Sequence, residues 1–190
     1  MKSESETLTA KESLDLIATM IETAKGNVQR NNFYYILWGW VTVIANLGMY
    51  ALQQAGYQHF YAIWLITIPA WIITFFRMRA DSREERVVTH FDRIIGALWI
   101  SYGVTIFLLV AFGYKMNFQI NPAVLIVSAV PTMVSGITLN FRPLIAGSVS
   151  LWLLGATCYL VDFDVQPLIG AAAITSGFLI PGYMLKRHKD

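Results

Sequence analysis

Long apolar stretches, broken at regular intervals by short polar ones, dominate this chain. Residues 31–76, 94–114, 116–141, 143–161 and 165–185 contain no Asp, Glu, Lys or Arg, and the first of these runs is long enough for two passes. A helix rises about 1.5 Å per residue, so crossing a hydrocarbon core of about 30 Å takes about 20 apolar residues. The pattern predicts six transmembrane helices, near Phe33 to Gln53, Phe60 to Phe76, Ile94 to Tyr114, Ile120 to Leu139, Pro143 to Val161 and Val165 to Leu185. The expected fold class is all-α, a polytopic membrane protein whose residues 33–185 form three hairpins around an inner loop at 77–93, with a basic tail at 186–190.

Residues 1–32 carry a different pattern. Thr9 followed by Glu12 is a capping box, in which hydroxyl and carboxylate each satisfy an orphan backbone donor at a helix start. Leu14, Ile17, Met20, Ile21, Ala24 and Val28 then recur at intervals of three and four, along one helical face. An amphipathic cytoplasmic helix is expected here. Five acidic residues oppose four basic ones and no Trp or Phe is present, so an anionic bilayer surface holds little attraction for it. Its apolar stripe is expected to pack on protein: the inner loop, a second copy of the chain, or a soluble partner. The alternative is a helix that only closes the inner end of the bundle. Candidate partner-binding residues are Ile17, Met20, Ile21 and Ala24, with Arg83 and Arg86 of the inner loop. In that loop Ser82 and Glu85 form a second capping box, and Val87, Val88, Phe91, Ile94 and Ile95 carry an apolar face, so the third helix is expected to begin near Arg83.

Composition agrees with the pattern. Hydrophobic residues make up 56%, charged residues 14%, and the mean hydropathy is +0.52, whereas a soluble domain carries about 25% charged residues. Charge adds orientation, because Lys and Arg are retained on the cytoplasmic side. With both termini inside, Lys2, Lys11, Lys25, Arg30, Arg77, Arg79, Arg83, Arg86, Arg93, Arg142, Lys186, Arg187 and Lys189 all fall inside, and of the 14 basic residues Lys115 alone falls outside. Phe33, Tyr34, Tyr35, Tyr57, Tyr61, Tyr114, Tyr159 and Tyr183 stand near span ends, where amphipathic rings favour the headgroup layer. The first 30 residues are polar, so no cleavable signal peptide is expected, and the first span serves as the insertion signal. The partners implied are the lipid bilayer and a cytoplasmic protein or a second copy, with no nucleic acid.

Within the spans the chemistry is neutral. The fourth carries Ser128, Thr132, Ser135 and Thr138 at helical spacing, and the sixth carries Gly170, Ala172, Ala173, Ser176 and Gly177. Two readings fit: hydrogen bonding and close packing between helices, or a solute path lined by Asn46, Ser128, Thr132, Ser135 and Ser176. No ionisable residue lies well inside a span, which argues against a proton-coupled pump. Pro69, Pro131 and Pro181 are candidate hinges, because each removes an amide donor and frees the carbonyl four residues back, at Leu65, Val127 and Gly177. Trp38, Trp99 and Trp152 precede these prolines by 31, 32 and 29 residues, which suggests a repeated hairpin or a coincidence of residues common in membrane helices. One cysteine, Cys158, excludes an intramolecular disulfide and is expected to pack as a small apolar residue. No nucleophile, paired-carboxylate, metal-ligand or phosphate-loop pattern is present, so no catalytic residue, metal or cofactor is expected.

The segment Glu-Ser-Leu-Asp-Leu-Ile-Ala-Thr-Met-Ile-Glu-Thr-Ala-Lys at 12–25, followed by Ile-Leu-Trp-Gly-Trp at 36–40, resembles an uncharacterised family of small bacterial inner-membrane proteins with six transmembrane helices. The likeness covers about residues 9–45. It implies a multi-pass protein of the bacterial cytoplasmic membrane and brings no activity, substrate or site residue. Some such genes lie beside one for a small winged-helix regulator, which implies a sensory or regulatory role. The expected function is that of a non-catalytic accessory or regulatory membrane protein acting through its cytoplasmic face, with a channel or transporter for a small neutral solute as the alternative.

Overall fold

Helices account for almost all of the described backbone, a composition that suits lipid, where only a helix or a closed barrel satisfies its own peptide groups. A computed structural model describes residues 10–81 and 90–187, with side chains described at 32–80 and 94–187. Seven α-helices follow in order: α1 (Ala10–Gln54), α2 (Thr67–Asp81), α3 (His90–Ala111), α4 (Ile120–Thr138), α5 (Arg142–Cys158), α6 (Gln166–Ile174) and α7 (Ile180–Arg187). No strand occurs among the described residues. Among the described residues five segments are long and apolar enough to cross a membrane: Asn32–Gln54, Phe60–Ala80, Ile94–Ala111, Ile120–Thr138 and Gln166–Arg187. These point to a membrane protein. The sixth predicted segment is α5, 17 residues long and therefore about 26 Å.

The first helix departs from the expected division at residue 32. It runs without interruption from Ala10 to Gln54, joining the polar N-terminal segment to the first apolar one. No proline occurs before Pro69, so no residue in this stretch removes a helical amide. Gly56 ends it, taking a φ of 70° while the Tyr57 amide reaches back to the Leu52 carbonyl at 3.0 Å. That is a Schellman cap, in which a residue in the left-handed region satisfies orphan carbonyls. Asn140 does the same for α4, with a φ of 49° and the Phe141 amide on Gly136 at 2.9 Å. Pro143 then opens α5 in its first turn, where its missing amide has no intrahelical partner to lose. The Thr9 and Ser82 capping boxes and the expected start of the third helix near Arg83 lie outside the described residues and side chains.

The three prolines are accommodated in three ways. Pro69 sits in the first turn of α2, after a 3-10 stretch at Phe60–Ile66. Pro131 lies inside α4, which continues past it. Pro181 follows a π-helical turn at Thr175–Leu179, where the Ile180 amide bonds to the Thr175 carbonyl. Such a wider turn relieves the crowding a proline imposes on the preceding carbonyls.

The tightest pair in the bundle is α4 against α5, which belong to different predicted hairpins. One antiparallel register holds along both helices. A Cβ added at Gly136 would lie 2.9 Å from Ile145, and one at Gly155 would lie 2.8 Å from Ile126. Between them the Ser148 hydroxyl approaches the Met133 sulfur at 3.4 Å. Glycines at both ends let the backbones close together, the usual device where lipid gives no hydrophobic drive for helix association. Around this pair, α1 packs on α6 and α7, while α3 meets chiefly α4. The outer face of α3 is open, with Phe107 72% exposed.

Candidate functional site

Two regions collect the residues singled out by sequence. Ile17, Met20, Ile21 and Ala24 all belong to α1, on the stretch that precedes its apolar span. Their side chains, and Arg83 and Arg86 entirely, lie outside the described residues. What the structure adds there is continuity: the segment bearing the proposed stripe and the first apolar span are one helix.

In the bundle, Asn46, Ser128, Thr132 and Ser135 are between 0 and 2% exposed, and Ser176 is half-buried. Most of their hydrogen bonds stay within one helix, and a few cross between helices. Ser128 donates to the Leu125 carbonyl at 2.8 Å and Thr132 to the Ser128 carbonyl at 2.7 Å. The Ser135 hydroxyl accepts from the Trp99 indole at 3.3 Å. Ser176 pairs with the Ser150 hydroxyl and shares the carbonyls of Ala172 and Ala173, each at 3.0 Å. Ser128 and Thr132 thus spend their hydroxyl protons on carbonyls of α4, while Ser135 and Ser176 pair across to α3 and α5. Thr132 stands beside Pro131, yet its hydroxyl bonds Ser128 rather than the freed carbonyl of Val127. The freed carbonyl of Gly177 instead faces α5, where a Cβ added at Gly147 would lie 3.0 Å from it.

Around Asn46 the structure gathers three carboxamides that the sequence did not single out, Gln119, Asn121 and Gln166, where α4 and α6 begin. Asn121 of α4 donates to the Asn46 side-chain oxygen at 3.3 Å and to the Gln166 carbonyl at 3.0 Å. Gln166 donates to the Gln119 side-chain oxygen at 2.7 Å. Gly170 makes room for them, since a Cβ there would lie 2.6 Å from the Asn46 oxygen and 2.8 Å from the Asn121 nitrogen. Gln166 is 1% exposed, and its own side-chain oxygen has no protein partner. A readable signal existed: α4 and α6 both open on an amide followed by proline, Asn121-Pro122 and Gln166-Pro167. Cys158 lies beneath this group, fully buried, with its sulfur 3.8 Å from the Gln166 carbonyl.

One aromatic expectation is corrected. Tyr35 is 4% exposed and packs edge-on against Trp99 and Phe178, so it faces the bundle and not the headgroups. Helical spacing turns it inward, opposite Trp40, whose indole donates to the Tyr183 hydroxyl at 2.9 Å on the open side. The tryptophan spacing also resolves. Trp38 donates to Thr74 at 3.1 Å and Trp99 to Ser135 at 3.3 Å, both 36 residues apart, which gives the first two hairpins a common cross-link. Trp152 sits deeper, ten residues past Arg142, whereas Trp38 is six past Asn32 and Trp99 five past Ile94.

Among the described residues no three His, Cys, Asp or Glu side chains converge as a metal site would need. The arrangement can bind helices to one another and present neutral amides at one end. No family model, no curated protein and no solved structure matches this chain.

Proposed function

We propose that the chain is a non-catalytic accessory or regulatory protein of the bacterial cytoplasmic membrane, crossing it six times with both termini inside and acting through its N-terminal helix. The carrying observation is the unbroken α1. Residues 10–31 extend the first span by about 33 Å at about 1.5 Å per residue. A partner seated on Ile17, Met20, Ile21 and Ala24 would therefore pull on a rod that continues through the bundle. Six crossings are supported by α5, which keeps register with the span-length α4 from Ile145–Gly136 to Gly155–Ile126. Its 17 residues reach about 26 Å, a shortfall that a bilayer meets by modest thinning. The distribution of Lys and Arg supports the orientation.

Crosslinking in native membranes followed by capture of the full chain tests this role. A specific partner should be recovered with the wild type and lost with Ile17→Asp combined with Ile21→Asp, while both proteins melt at the same temperature in detergent. Recovery of no partner, or equal recovery with both proteins, would overturn it.

A second reading, passage of a small neutral solute, draws on the outer carboxamide group with its unpartnered Gln166 oxygen. It requires Ser128→Leu or Thr132→Leu to block flux in proteoliposomes. The enclosed state of those hydroxyls weighs against it.

A further inference from the structure

Along the first half of the apolar span Asn32–Gln54 of α1 runs an apolar groove of about 490 Å³, lined by Asn32, Phe33, Ile36, Trp40, Ile44 and, at one end, Lys186. Its make-up is graded. From Asn32 to Ile44 the helix rises about 18 Å, close to the depth of one leaflet of a hydrocarbon core of about 30 Å. The deep end is wholly aliphatic and aromatic, and the shallow end is polar and cationic. We propose that this groove holds one anionic phospholipid of the inner leaflet, with an acyl chain along Ile36, Trp40 and Ile44 and the phosphate at Lys186.

Packing fixes the cation at that end. A Cβ added at Gly182 of α7 would lie 3.2 Å from Ile36 and 3.3 Å from Tyr35, so the two helices touch there. They run antiparallel, and one turn farther along brings Lys186 level with Asn32. The Trp40 indole bonded to Tyr183 closes the wall midway. The Arg77 guanidinium lies over the Phe33 ring, 5.4 Å from its centroid, adding positive charge at the same mouth. Asn32 supplies an independent sign of a ligand. It is only 9% exposed, and its side-chain oxygen has no hydrogen-bond partner. A buried acceptor without a donor is costly, and the headgroup hydroxyls of a phosphatidylglycerol would supply one. A lipid suits this groove better than a second copy of the chain, because charge and apolar depth change along it as they do along a phospholipid.

Full-length protein, purified in detergent and offered equimolar dioleoyl-phosphatidylglycerol and dioleoyl-phosphatidylcholine, is read by native mass spectrometry. The wild type should retain the anionic lipid in about fivefold preference, the scale of one cation near a membrane surface. Lys186→Glu should bring the ratio to about one, and Ile44→Trp, which fills an outward position of the groove, should reduce retention of both lipids. A ratio of about one for the wild type, or an unchanged ratio in Lys186→Glu, would overturn the site. So would full displacement by inorganic phosphate, unaltered retention in Ile44→Trp, or a dimer that forms only when lipid is removed. None of these outcomes bears on the capture of a protein partner.

Discussion

Gly147 and Gly96 differ in a way that only the structure reveals. A Cβ at Gly147 would sit 3.0 Å from the Gly177 backbone and 3.1 Å from the Pro181 ring, whereas one at Gly96 would meet nothing within 4 Å. Gly147→Val should destabilise the protein by about 1–3 kcal/mol through overpacking, and Gly96→Ala should be neutral or slightly stabilising because alanine favours the helix. Thermal unfolding in detergent checks both. At Asn121, two hydrogen bonds link α4 to α1 and α6. Membrane hydrogen bonds average about 0.6 kcal/mol each, so Asn121→Ala should cost about 1 kcal/mol in the same measurement. In sequence Asn121 and Gln166 show only as an amide before a proline, and an amide at a span end otherwise looks like ordinary loop polarity. Only the fold brings residues 45 apart into contact. Tyr35 misled for the opposite reason, being near a span end yet on the inward face.

Among the elements, the apolar runs were legible because lipid imposes length and excludes charge together, and the five span-length segments agree with prediction to within a few residues. Local windings were not. The 3-10 stretch before Pro69 and the π turn before Pro181 arise from how a missing amide is accommodated, and proline alone permits several answers. The α4–α5 pairing was equally hidden, since hairpin order favours neighbours across the outer loops. Its glycines carry the test. Gly136→Leu and Gly155→Leu should each weaken the protein by about 1–3 kcal/mol by wedging apart helices that touch at Ile145 and Ile126, seen as a lowered melting temperature in detergent. A replacement that leaves the melting temperature intact would show that the pair does not hold the bundle.

For the whole molecule, charge placement and helix length converge on a threaded membrane protein, and the proposed role follows from a first helix that leaves the bundle without a break. The sequence pattern predicts the threading, because translocation discriminates among Lys and Arg positions in any chain. It carried little of the amide group around Gln166 or of the groove along α1, which depend on which helices meet. The central claim is that α5 crosses the bilayer, so that six passes return the C-terminus to the cytoplasm. Thiol labelling with a membrane-impermeant reagent tests it directly, using Asn140→Cys and Asp164→Cys at the two ends of α5 in right-side-out spheroplasts. Native Cys158 is fully buried and should stay silent. Asp164→Cys should label in intact spheroplasts and Asn140→Cys only after lysis. Labelling of both from the same side would contradict the account.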